Sequence, residues 1–140
     1  TLEAGGLGLT STTLDYAHFA QMLLNNGELD GVQILGKKSM ELVMTDQLPK
    51  EIDKGPFFIP GGNQSWSLAG AVRNAGVRHA NLLNSVYGSE GEFYWVGYAG
   101  TSFFVDPKEQ LIGIFMSQAA SQLLENATTF KTLVMQSLIR

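Results

Sequence analysis

The residues able to do chemistry are few, and most of the familiar arrangements fail on them. The chain has two histidines, His18 and His79, and no cysteine. A metal centre needs donors repeated at a spacing that brings them to one point. Neither histidine has a second histidine or a carboxylate so placed, so the sequence calls for no metal and no cofactor. His18 falls at the polar edge of a helical pattern, and His79 follows Val77-Arg78 in a turn-rich stretch. Without cysteine there is no disulfide and no thiolate nucleophile, which leaves the compartment open. Gly5-Gly6-Leu7-Gly8 lacks the preceding strand and the following Lys-Ser or Lys-Thr of a phosphate loop, and reads as a glycine-rich entry. No serine stands three residues before a lysine, and no Gly-x-Ser-x-Gly occurs. Thr128-Thr129-Phe130-Lys131 has the lysine spacing with threonine, on a helix whose Phe130 is core. Tyr87-Gly88-Ser89 matches Tyr-x-Ser, but so short a pattern in a turn reads as chance.

Composition narrows the classes further. With 9 Lys and Arg against 13 Asp and Glu, the net charge is −4. That argues against a nucleic-acid-binding stripe. The chain is 44% hydrophobic and 16% charged. It is therefore no disordered segment, and the scattered charges read as a solvated surface. No apolar run approaches the roughly 18 residues of a membrane span. A length of 140 residues makes one domain. The chain opens on Thr1 rather than Met and reads as a piece cut from a longer protein.

The elements that would position any site follow from periodicity. Tyr16, Phe19, Ala20 and Leu23 form a helical stripe over residues 14–26. Thr12 and Asp15 are spaced as a capping box, and Asn25-Asn26-Gly27 forms the end. A second, short helix covers residues 37–44. Residues 45–65, rich in proline and glycine, read as a long loop. Strands are expected at 66–72, 92–96, 101–105 and 111–118, with Asp106-Pro107-Lys108-Glu109 turning between the last two. Leu111-Ile112-Gly113-Ile114-Phe115-Met116 does not alternate, so both faces of the sheet need cover. The helix expected at 121–139, with the stripe Leu123, Ala127, Phe130, Val134 and Leu138, hides one face. The short N-terminal helices are expected to leave the other open, which predicts self-association. The fold class is α+β, an antiparallel sheet carrying a C-terminal helix.

Taken together, these segments resemble a known family. Gly5-Gly6-Leu7-Gly8-Leu9-Thr10-Ser11-Thr12, Asp15-Tyr16, Phe19, Gln21-Met22-Leu23-Leu24-Asn25, Gly27-Glu28-Leu29-Asp30-Gly31 and Ile34-Leu35 look like one signature. Gly97-Tyr98-Ala99-Gly100-Thr101 and Phe103-Phe104-Val105-Asp106-Pro107-Lys108 look like its second half. The group is that of the serine beta-lactamase-like proteins, which includes class C beta-lactamases, DD-peptidases, other penicillin-binding proteins and related esterases. The esterase-like branch is the most similar.

The resemblance implies that the chain is the C-terminal part of such a domain. Residues 1–44 would be a remnant of its helical subdomain, and 66–140 its sheet and last helix. The upstream Ser-x-x-Lys and Tyr-x-Asn or Tyr-x-Ser motifs would lie outside the chain. Trp95-Val96-Gly97 looks like the third motif, Lys-Thr-Gly in many members and Trp-x-Gly in the esterase-like branch. Tyr98 would then give a backbone N–H to the oxyanion hole, Gly97 would let substrate approach the backbone, and Trp95 would form a wall without the lysine's charge. The implied activity is hydrolysis of a small ester or lactam through an acyl-serine, the fragment being inactive alone. Its expected partners are the N-terminal half of the same domain or a second copy. The rival reading is a non-catalytic binding or scaffold module that never carried the serine.

Overall fold

The computed structural model describes residues 9–49, 64–74 and 87–139. The Gly5–Gly8 entry, His79 and most of the expected 45–65 loop lie outside the described residues.

Helix α1 (Thr13–Leu24) starts where the hydroxyl pattern places it. Thr12 is the N-cap, and its side-chain oxygen accepts the Asp15 N–H at 3.1 Å. The same hydroxyl donates to the Asp15 carboxylate at 2.8 Å, so the return arm of the box ends on the cap's side chain. A short hairpin, β1 (Glu28–Leu29) and β2 (Val32–Gln33), turns through Asp30 and Gly31, both at positive φ. Helix α2 (Lys37–Met44) follows and buries Met40.

Five antiparallel strands form the main sheet in sequential order: β3 (Gln64–Trp66), β4 (Ala71–Arg73), β5 (Phe93–Val96), β6 (Ser102–Asp106) and β7 (Leu111–Phe115). The single strand expected over 66–72 is instead a hairpin. The Ser67 hydroxyl oxygen accepts the N–H groups of Ala69 and Gly70, each at 3.2 Å, and the Ser67 N–H donates to the Gly70 carbonyl at 2.9 Å. A serine side chain that offers the backbone a local partner competes with the strand ladder, and here the turn wins. Asp106-Pro107-Lys108-Glu109 turns β6 into β7 as expected.

Alternation along β5 sends Phe93 and Tyr94 into different clusters. Phe93 joins Val72, Val105, Ala20, Leu23 and Met40, with Phe103, Ile112 and Ile114 packed against them. Tyr94 joins Ala71 and Phe104, flanked by Phe130, Val134 and Met135 of helix α3 (Leu123–Gln136). Both faces of the sheet are therefore covered, which corrects the expectation of an open face. Helix α1 lies against β6 and β7. At about 1.5 Å per residue, its length matches that of a five-residue strand. The last helix also departs from expectation. It begins with a 3₁₀ turn (Ala120–Gln122), ends at Gln136, and leaves Leu138 exposed beyond it.

Candidate active site

Trp95, Gly97 and Tyr98 come together at the C-terminal end of β5. The ladder pairs Trp95 with Phe103 and Val96 with Ser102. Beyond it, the Gly97 N–H donates to the Thr101 carbonyl at 2.8 Å, and the Gly100 N–H donates to the Gly97 carbonyl at 2.9 Å. This closed turn is braced from outside, because the Ala119 N–H donates to the Ala99 carbonyl at 2.7 Å. Gly100 has φ +94°, and a Cβ there would come within 3.0 Å of the Ala119 carbonyl oxygen, so the brace and the glycine require each other.

Tyr98 sits on this turn and is 87% exposed. Its N–H makes no hydrogen bond among the described residues. Gly97 has a reason within the turn itself. The space its Cβ would take is filled by the Thr101 hydroxyl, so the turn's own side chain needs the glycine. Trp95 is half-buried, and its ring meets Trp66 edge to face at 4.6 Å.

These residues line a cavity of about 330 Å³ with Tyr16 of α1, Phe103, Ile114 and Met116. Sequence reasoning put Tyr16 on the core stripe of its helix and missed its second role. Its ring is edge-on to Phe103 at 5.0 Å and to Phe19 at 5.4 Å. Burial pushes its hydroxyl above the usual tyrosine pKa, so the phenol stays neutral across the physiological range.

The opposite end of β5 holds charges that the sequence reading had assigned to the surface. Glu92 and Asp106 are fully buried, and Arg73 and Lys131 nearly so. The Glu92 carboxylate is bonded by the Lys131 ammonium and lies 3.9 Å from Arg73 Nε. The Arg73 guanidinium donates to the Tyr87 carbonyl at 2.9 Å. Asp106 accepts the N–H groups of Ser89 at 2.9 Å and of Lys108 and Glu109 at 3.1 Å each, so Ser89 takes part in securing a turn. Burial lowers the Lys131 pKa to about 8, against the opposing attraction of Glu92. One signal was available: Lys131 stands four residues after Ala127 and three before Val134, inside the apolar stripe. Ser102 and Lys131 share the lining of a void of about 10 Å³. Such a space holds no more than a single water, and Ser102 also lines the larger cavity.

Among the described residues, no three His, Asp or Glu side chains gather as a metal site, and no helix is long and apolar enough to cross a membrane. His18 lies on α1, and His79 falls outside the described residues.

Solved structures share this fold. The chain superposes on simvastatin synthase from Aspergillus terreus with a TM-score of 0.64 at 14% identity, covering 89% of this chain and 34% of that one. It superposes on a penicillin-binding protein homologue from Caulobacter crescentus with a TM-score of 0.51 at 14% identity, covering 79% and 28%. The fold is thus that of the beta-lactamase and penicillin-binding-protein group. By sequence, the chain is 35% identical over 130 residues to a Mycobacterium tuberculosis protein described only as uncharacterized, covering 89% of this chain and 31% of that protein. The chain spans about a third of the length of these relatives. No protein-family model matches it.

Proposed function

We propose that the chain is the C-terminal part of an esterase-like serine hydrolase and forms one wall of its acyl-transfer site. Attack of a serine oxygen on an ester carbonyl moves negative charge onto the carbonyl oxygen, and fixed N–H donors stabilise that charge. Tyr98 would supply one such donor. The observation that carries this reading is an N–H with no partner among the described residues, on a turn fixed by the Gly97–Thr101 and Ala99–Ala119 hydrogen bonds. A donor already fixed in place needs no reorganisation when charge develops. Trp95 takes the position of the family lysine and offers an indole in place of a cation, which favours neutral esters over carboxylate-bearing lactams.

The serine and its base belong to the remainder of the domain. Unactivated hydroxyls are weak nucleophiles, so the 140-residue chain should be inert. A p-nitrophenyl ester and a chromogenic cephalosporin test this. The expected result is no turnover by the chain and an acyl-serine adduct, visible by mass spectrometry, on the longer protein. Turnover by the chain alone, abolished by a serine-directed acylating reagent, would contradict the assignment, as would a longer protein that never acylates.

A further inference from the structure

We propose that the cavity between α1 and the Gly97–Tyr98 end of β5 is the seat of an uncharged apolar acyl or aryl group, with Tyr16 as the residue that sets this preference. The inference rests on the reading of Tyr98 as an oxyanion donor and adds the class of group that sits beside it.

The cavity is open to one side and has a volume of about 330 Å³. Small-molecule sites start at roughly 300 Å³ and reach about three times that size. A volume at the lower end suits one small acyl or aryl group and not a long peptide. Every lining residue among those described is uncharged. Tyr16, Trp95, Phe103, Ile114 and Met116 give an apolar wall, and Tyr98 and Thr101, also in the lining, carry polar groups able to orient a carbonyl. A carboxylate entering this space would lose water and meet no counter-charge among the described residues, which disfavours it strongly. The rings already engage one another, Tyr16 edge to face with Phe103 and Phe103 tilted against Phe93. A cation entering it would likewise lose water and meet no carboxylate among the described lining residues. Tyr16 is the one lining ring contributed by α1, so it forms the wall on the helix side. Its neutral phenol keeps charge out of the lining.

Trp66 and Trp95 are the only tryptophans and touch each other, so their fluorescence reports on one neighbourhood. The test titrates the chain at neutral pH with phenylacetamide, phenylacetate and phenethylammonium, which share a ring and differ in charge. Amide ¹H–¹⁵N spectra map the contact. Phenylacetamide is expected to bind at least tenfold more tightly than either ion, with shifts at Tyr16, the Trp95 indole and Tyr98. Tyr16→Lys, checked for folding by circular dichroism, should turn the preference toward phenylacetate by a similar factor. Equal or tighter binding of an ion to the unmodified chain would overturn the proposal, as would no binding of phenylacetamide or shifts confined to other residues. Binding needs no nucleophile, so the two readings fail separately. A neutral-selective cavity in a longer protein that never acylates would leave this inference standing and remove the hydrolase. An active enzyme without neutral selectivity would do the reverse.

Discussion

The two ends of β5 are built on opposite electrostatic plans. At the N-terminal end, Glu92 is buried with Lys131 and Arg73, and Asp106 is buried close by, tying α3, β4, β5 and the β6–β7 turn together. At the C-terminal end, a few residues along, the lining is neutral, the cavity is open, and the Tyr98 N–H is unused among the described residues. Buried ions contribute little net stability, but removing one partner is costly. They therefore hold one arrangement of elements in place. A neutral cavity tolerates substitution and leaves its polar atoms free for a ligand. The contrast teaches where rigidity and where reactivity reside on one strand.

The largest expected effect breaks the charged end. Glu92→Gln leaves Lys131 and Arg73 buried without their carboxylate and should destabilise the fold by about 3–5 kcal/mol in urea unfolding. At the neutral end, Tyr16→Phe keeps the ring and should cost less than about 1.5 kcal/mol. Similar losses at both ends would erase the distinction.

A pH profile sharpens it. The Lys131 pKa falls from the ordinary 10.5 to about 8 in the fold. The unfolded chain therefore binds more protons between those two values. This group's contribution to stability is full above about 10.5 and is lost as the pH falls through about 8. The unfolding free energy of the unmodified chain, minus that of Lys131→Met, should accordingly rise from pH 8 to 10.5. A flat difference would mean that Lys131 keeps an ordinary pKa, and a falling one that its pKa is raised in the fold.

At the neutral end, restoring the family's charge with Trp95→Lys in the longer protein should shift the lactam-to-ester ratio of kcat/KM toward lactams. The expected shift is about tenfold, or about 1.4 kcal/mol. An unchanged ratio would make Trp95 a packing residue for Trp66 alone. The smallest effect lies upstream. Thr12→Ala removes the cap of the helix that presents Tyr16. It should lower stability by about 1 kcal/mol in thermal or urea unfolding.

Much of the fold was legible because it is local. The Thr12 cap, the α2 helix and the β6–β7 hairpin are all set by neighbours within a few residues. The break at Ser67 was missed because its competing hydrogen bonds form only when the chain turns at Gly70. The cover given by α1 was underestimated because a short helix still runs the length of a five-residue strand, which periodicity alone does not display. The site was legible in part. Trp95, Gly97 and Tyr98 were found as a run, but Tyr16 reaches the cavity only through tertiary packing. The charged cluster was illegible for the same reason: Arg73, Glu92 and Lys131 are far apart in sequence and meet across β4, β5 and α3.

Whether the Tyr98 N–H stabilises an oxyanion is open to a direct backbone test. Replacing the peptide N–H of Tyr98 with an ester oxygen, in the longer protein, removes this single donor and leaves the side chain unchanged. Losing one oxyanion-hole donor should lower kcat on a neutral ester by about 10²–10³ with little change in KM. An ester-substituted protein that turns over at the original kcat would contradict the role of Tyr98.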